Sequence, residues 1–307
     1  MERRDRDARV DRGRSRLRHR AGGAGGEAGS GGGVEVRVEW EGARGKREAA
    51  PRPSLVPLPS SRLDGGHVAD TVDVLAIAAH RDDVELTCGG TLAKAVRAGH
   101  RVGILDLTQG ESGTRGDAST RAAEAERAAK ALGVHLRFNA GLPDAHLENN
   151  EASRLKVVTL IRQTRPRVVI LPFPVGRHPD HRIASELGRD ACYLAGLAKY
   201  GGQGEPHRPF KVLYALAYRE DPVKPSFVVD ISDCFDIKMA AIRCYASQFD
   251  GAKAAGEIHP TGLDLYELIR IQSAHYGSLI RTPYGEPFFC HETLEVQDVL
   301  QLGVQSL

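Results

Sequence analysis

Apolar runs that alternate with helical segments constrain the fold of this chain more than any other feature. Three of them are VDVLAIAA from position 72, RVGILDLT from 101 and RVVILPFP from 167, and each is typical of a strand buried on both faces of a sheet. VHLRFNAGL, from position 134, indicates a shorter strand. Strands that alternate with helices predict a Rossmann-like α/β fold, with a mostly parallel sheet and helices on both faces.

The segments between and after these strands complete the predicted pattern. One helix is expected over 119–133, with Ser119 or Thr120 as its cap and Gly133 as its end. Other helices are predicted over 88–99, 151–166, 181–197, 232–249 and 263–276, and further strands over 211–220 and 225–232. Since no break interrupts this pattern, we expect one domain over 69–307.

The first part of the chain has a different composition. Nine of the first twenty residues are Arg, and residues 21–33 are almost entirely Gly, Ala and Ser, so we predict a disordered tail over 1–68. A basic arm that touches RNA or an anionic surface remains an alternative for this tail. The net charge of the whole chain is +2, which by itself argues neither for nor against a nucleic-acid partner. A nucleic acid is not the expected partner. The sequence shows neither a secretory signal nor an apolar run long enough to span a membrane.

The five cysteines are far apart in the chain and form no CxxC pair. This pattern indicates free, buried thiols in a reducing cytoplasm. The expected ligands of any metal are therefore His and Asp.

Three polar loops follow the predicted strands, and the carboxyl ends of parallel strands lie at one edge of a sheet. The first loop contains AHRDD and the last contains RHPDH, and together they offer His80, Asp83 and His181 as a metal-binding set. Asp82 would then lie beside the metal, where it could take a proton from water. His178 could polarise a carbonyl oxygen or protonate a leaving group.

The middle loop, QGESGTRG, is rich in glycine but lacks both the GxGxxG and the GxxxxGK[ST] pattern, which argues against nucleotide binding. We predict Arg115 and Glu111 as substrate-binding residues, with Arg115 offering a two-pronged donor to a carboxylate. Alternatively, Arg115 braces the loop against Glu111. His146, in GLPDAHL, could lie near the cleft. Four other histidines are expected at the surface or in the core: His67, His100, His135 and His207.

AHRDD together with HPDH resembles the PIG-L/LmbE-like family of zinc-dependent N-acetylglucosaminide deacetylases. VGILDLTQGESGTRG, GLPDAHL and HYGSLIRTPYGEPFF resemble its bacillithiol-biosynthesis members, which act on N-acetylglucosaminyl malate. The resemblance implies that the zinc ligands are His80, Asp83 and His181. It further implies that Asp82 is the general base, that His178 assists the tetrahedral intermediate, and that Asp180 orients a site histidine.

Two positions depart from the family pattern. Arg81 replaces the usual Pro, and its cation is expected to lower the pKa of Asp82 or Asp83. Gln109 stands where many relatives carry Arg, which removes one positive contact.

The expected function is zinc-dependent release of acetate from N-acetylglucosaminyl malate, a small glycoside, in the cytoplasm. A His₂Asp site also accepts Fe, Co or Mn. Two alternatives remain open: a deacetylase or amidase of another N-acetylglucosamine conjugate, of the mycothiol type, and a catalytically silent sugar-binding relative. Since relatives form trimers and hexamers, the resemblance also implies a homo-oligomer.

Overall fold

The computed structural model describes residues 71–216, 223–250 and 264–304, together with Ser306. The predicted tail, 1–68, lies outside these described residues. The elements are β1 (Val74–Ala78), α1 (Asp83–Arg97), β2 (Val102–Thr108), α2 (Ala118–Leu132), β3 (Leu136–Leu142), α3 (Glu151–Thr164), β4 (Val168–Pro172), α4 (Pro179–Leu194), β5 (Lys211–Ala215), β6 (Phe227–Asp230), α5 (Phe235–Arg243), α6 (Ala246–Phe249), α7 (Leu265–Leu279), β7 (Gly285–Phe289) and a 3₁₀ turn (Val299–Gln301).

The seven strands form one sheet in the order β3-β2-β1-β4-β5-β7-β6. The first five strands in this order, from β3 to β5, run parallel to one another. Strand β7 runs antiparallel to both β5 and β6. The chain moves outward from β1 to β2 and β3, and β4 then pairs with the other side of β1. At such a reversal, open α/β sheets bind their ligands in a crevice beyond the carboxyl ends of the strands, which here are β1 and β4.

Alternate residues of β1 face opposite sides of the sheet. Leu75 and Ile77 pack with residues of α3 and α4, whereas Ala76 and Ala78 pack with residues of α1 and α2. Both faces are therefore buried, which explains the continuous apolar run and confirms the predicted fold class. Each helix in the described part of the chain is too short or too polar to cross a bilayer.

Several predicted boundaries were wrong, mainly at helix starts. Helix α1 begins at Asp83 rather than at residue 88, and α4 begins at Pro179 rather than at residue 181. The cap of α2 is Asp117, whose carboxylate accepts from Thr120 N, although Gly133 ends the helix as predicted. The single helix predicted over 232–249 is two helices, α5 and α6. All five cysteines are free, and Cys244 is the one that is not fully buried.

Strand β7 was absent from the predicted pattern, because GEPFF contains glycine and proline, which strand interiors usually avoid. It lies between β5 and β6 and brings Glu286 into the core. The carboxylate of Glu286 accepts from Gly90 N at 2.9 Å and from Thr91 N at 2.7 Å, next to a kink of α1 at Cys88. It also pairs with Lys238 Nζ at 2.6 Å, so β7 joins α1 to α5 through a buried ion pair.

We expect Glu286→Gln to lower the free energy of unfolding by about 3–5 kcal/mol, because Lys238 would remain as a buried charge without its partner. Urea unfolding followed by circular dichroism measures this change. The control is Glu267→Gln, which breaks an exposed pair with Arg270 and should cost less than about 1 kcal/mol. Equal effects of the two substitutions would contradict the role given to Glu286.

Candidate active site

The turn after β1 places three titratable side chains at the crevice. Helix α1 begins with Asp82 as its N-cap residue and Asp83 as its first residue. The backbone N–H of His80 donates to Asp83 Oδ2 at 2.9 Å, which closes the turn. The early start of α1 therefore gathers His80, Asp82 and Asp83 in one tight segment.

The RHPDH segment is fixed by the start of α4. His178 is the N-cap residue, and its Nδ1 accepts from the backbone N–H of Asp180 at 3.2 Å. In the neutral imidazole this contact leaves the proton on Nε2. Burial and the nearby His181 and His80 lower the pKa of His178, which favours that neutral form. His178 can thus donate a hydrogen bond from Nε2.

The two loops meet at the Asp83 carboxylate. Asp83 Oδ2 lies 3.4 Å from Nδ1 of His80, and Asp83 Oδ1 lies 3.1 Å from Nε2 of His181. Ligand atoms about 2.0–2.2 Å from a tetrahedral zinc ion would lie roughly 3.3 Å apart, which is close to each of these two contacts. One atom from each of His80, Asp83 and His181 lies within 4.8 Å of the others, and the same holds for His80, His178 and Asp180.

The charges around His80 favour a cation. Burial opposes the charged form of His80, but Asp83 and a hydrogen bond to Asp144 raise its pKa to about 11. Burial likewise opposes the charge of Asp83, yet His181 and His80 hold the pKa of that carboxyl well below its usual range. The side chain of His181 is 37% exposed, which leaves the cluster open on one side. A divalent cation would suit both the donor set and this excess of carboxylate.

Two carboxylates contact the opposite nitrogen of His80. Nε2 lies 3.1 Å from Asp144 Oδ1 and 3.3 Å from Asp180 Oδ2. The N–H of Ala145 donates to both carboxylates, and Ala145 has a φ of 62°, which non-glycine residues seldom adopt. These contacts leave Nδ1 of His80 facing Asp83. The sequence analysis considered His146, in the same loop, as a residue near the cleft. In the structure His146 is exposed, and the residue of this loop that contacts His80 is Asp144.

Asp82 is buried beside the cluster and has a cationic neighbour that sequence reasoning missed. Burial and the adjacent Asp83 raise the pKa of Asp82, which suits a proton acceptor near neutral pH. Nη2 of the buried Arg121 lies 3.6 Å from Asp82 Oδ2, and its Nη1 donates to the carbonyl of Gly110 at 2.8 Å. Gly110 has a φ of 73°, and a Cβ there would overlap the Arg121 guanidinium.

The side chain of Arg81 contacts the start of α2. Its Nη1 donates to the carbonyl of Ala118 at the start of α2, at 2.7 Å. Arg121 and His80 are the main cations that oppose the effect of burial on the pKa of Asp82. The hydrogen bond of Arg81 links the turn to α2.

The two predicted substrate-binding residues of the QGESGTRG loop, Glu111 and Arg115, make contacts with different parts of the protein. Glu111 accepts from Gln109 N at 3.2 Å and from Asp144 N at 2.9 Å, so it joins this loop to the one that carries Asp144. Arg115 Nη1 donates to the carbonyl of Asp250 at 3.3 Å rather than to Glu111. Three other histidines contribute no atom to the cluster: His100 and His135 are exposed, and His207 contacts the carbonyl of Pro166. His67 lies outside the described residues.

Comparison with known proteins agrees with this geometry. The family model for PIG-L, GlcNAc-PI de-N-acetylase, matches residues 75–192. A diacetylchitobiose deacetylase of Thermococcus kodakarensis is 32% identical over 71% of this chain and 82% of that protein. The chain belongs to the PIG-L family. It is therefore an N-deacetylase, an enzyme that hydrolyses an N-acetyl group.

Two further relatives bear on fold and substrate. A conserved protein of Thermus thermophilus has a crystal structure that matches with a TM-score of 0.67 and 39% identity, over 74% of this chain and 98% of that one. A 1D-myo-inositol 2-acetamido-2-deoxy-alpha-D-glucopyranoside deacetylase of Rhodococcus jostii is 29% identical over 47% of this chain and 61% of that protein.

We expect His181→Ala to abolish stable metal binding, because two remaining ligands are too few for a stable site. Elemental analysis after loading with zinc and dialysis measures the bound metal. The control is His100→Ala, which removes an exposed imidazole outside the cluster and should keep the metal. Full metal occupancy in His181→Ala would exclude His181 from the ligand set.

Proposed function

We propose that this PIG-L deacetylase is a zinc enzyme that releases acetate from N-acetylglucosaminyl malate. The observation that carries the proposal is the position of the Asp83 carboxylate between Nδ1 of His80 and Nε2 of His181. These three residues are the proposed zinc ligands. Zinc at such a site polarises a carbonyl and lowers the pKa of a water ligand.

The protein residues supply the proton transfers. Asp82 accepts a proton from the attacking water, and the raised pKa of its carboxyl suits that task. His178 donates from Nε2 to the oxygen of the tetrahedral intermediate. The carbon–nitrogen bond then breaks, the amine nitrogen takes the proton that Asp82 had accepted, and acetate remains. Asp180 and Asp144 hold His80 through Nε2, as carboxylates commonly do for metal-binding histidines.

The identity of the aglycone, the group attached to N-acetylglucosamine, is the more specific part of the proposal. The curated relatives are named for action on diacetylchitobiose and on an inositol 2-acetamido-2-deoxyglucoside, so an N-acetylglucosamine unit is the shared chemistry. Malate adds two carboxylates, and Arg115 in the glycine-rich loop is the proposed residue that receives one of them. A deacetylase of the mycothiol type remains the alternative. Acetate release from N-acetylglucosaminyl malate, diacetylchitobiose and the inositol 2-acetamido-2-deoxyglucoside, compared by kcat/KM, decides between these substrates.

We expect Asp82→Asn to keep the metal and the fold but to lower kcat by roughly 10²–10⁴, the usual contribution of a general base. Acetate release and zinc content are measured on the same preparation. His100→Ala again serves as the matched control with normal turnover. A metal-replete Asp82→Asn enzyme with normal kcat would show that another group takes the proton.

We expect Arg115→Ala to raise KM for N-acetylglucosaminyl malate by the equivalent of about 1.5–3 kcal/mol, the usual contribution of a hydrogen bond to a charged group. The same substitution should barely change hydrolysis of N-acetylglucosamine, which carries no carboxylate. Parallel kinetics on the two substrates test this difference. An equal loss on both would mean that Arg115 only braces the loop through Asp250.

A further inference from the structure

The carbonyl oxygen of Arg81 lies in the turn between His80 and Asp82, one residue before the hydrogen-bond ladder of α1. That ladder begins where Leu86 N donates to the carbonyl of Asp82 at 3.1 Å. A buried carbonyl outside a helix needs another donor. Nη2 of Arg137 donates to Arg81 O at 2.5 Å, and the hydroxyl of Tyr245 donates to the same oxygen.

Arg137 is held in place by carboxylates. It projects from β3, and its guanidinium contacts Asp106 at 2.8 Å and Glu85 at 2.6 Å. Glu85 is completely buried and Asp106 is nearly so. Removing Arg137 would therefore disturb several buried charges at once, which makes it a poor test of the turn.

Tyr245 has a simpler environment. Tyr245 stands in the chain between α5 and α6, it is completely buried, and its hydroxyl also lies 3.1 Å from Glu85 Oε1. Helix α6 is anchored because Ser247 N and Oγ donate to the Glu124 carboxylate at 2.8 and 2.7 Å. The hydroxyl thus reaches the turn from an anchored segment 164 residues away in the chain.

We propose that Tyr245 is a positioning residue for deacetylation, which fixes the direction of Asp82 through the carbonyl of Arg81. This carbonyl shares its peptide plane with the backbone nitrogen of Asp82. Rotation of that plane would therefore change the direction of the Asp82 side chain before it affects any later residue. The inference rests on the proposed role of Asp82 as the base.

Tyr245→Phe removes the hydroxyl and keeps the ring. In the metal-free protein, hydrogen exchange should become about tenfold faster at the amides of His80 and Leu86, whose hydrogen bonds define the turn. Exchange in β2, Val102–Thr108, should not change. Unchanged exchange at the turn, or an equal increase in β2, would overturn the proposal.

In the zinc-loaded enzyme, Tyr245→Phe should lower kcat on the order of tenfold to a hundredfold and change KM less than twofold. The control is Tyr214→Phe, which removes the hydroxyl of another buried tyrosine, in β5, and should leave both readouts unchanged. A looser turn with normal kcat would overturn the positioning role. If the wild-type enzyme released no acetate while the turn of the variant exchanged faster, the proposed function would fail and the anchoring of the turn would stand.

Discussion

His80 contacts three carboxylates at the end of a buried strand, and the site depends on this arrangement. Asp83 lies at Nδ1, whereas Asp144 and Asp180 lie at Nε2. Carboxylates gathered in a partly buried place repel one another and lose hydration, so the cluster is stable only with positive charge among them. The imidazoles supply part of that charge. A divalent cation would contribute the remaining positive charge. The same carboxylates that require this charge would therefore favour binding of the metal.

The sheet topology brings these groups together. His80 follows β1, and His181 lies in the first turn of α4, which follows β4. Because β1 and β4 are adjacent and parallel, two loops separated by about a hundred residues open into the same crevice. The third loop, after β2, contributes Glu111, which holds the backbone of Asp144. The parallel half of the sheet therefore carries the proposed metal site, while β6 and β7 serve the packing of α1 and α5.

Apolar runs and short polar motifs were enough to predict the parallel strands and the proposed ligand set, because both signals are local. The missed residues act over long distances. Arg121 lies on α2, where a charged side chain is expected to face solvent. Glu286 lies in a strand that contains proline. Asp144 was visible in GLPDAHL, but its role depends on a left-handed Ala145 that no sequence pattern indicates. The predicted starts of α1 and α4 came too late in the chain, because the first turn of each helix contains charged residues and lacks the apolar spacing that indicates a helix.

The turn at Arg81 is held by contacts from parts of the chain that are distant in sequence. In this chain the Arg81 side chain reaches Ala118 in α2, and its carbonyl receives donors from Arg137 and Tyr245. Three elements distant in sequence thus restrain the segment between a proposed ligand and the proposed base. Because these restraints are hydrogen bonds from packed elements, the precision of the turn depends on the docking of β3, α2 and the α5–α6 junction rather than on the residues of the motif alone.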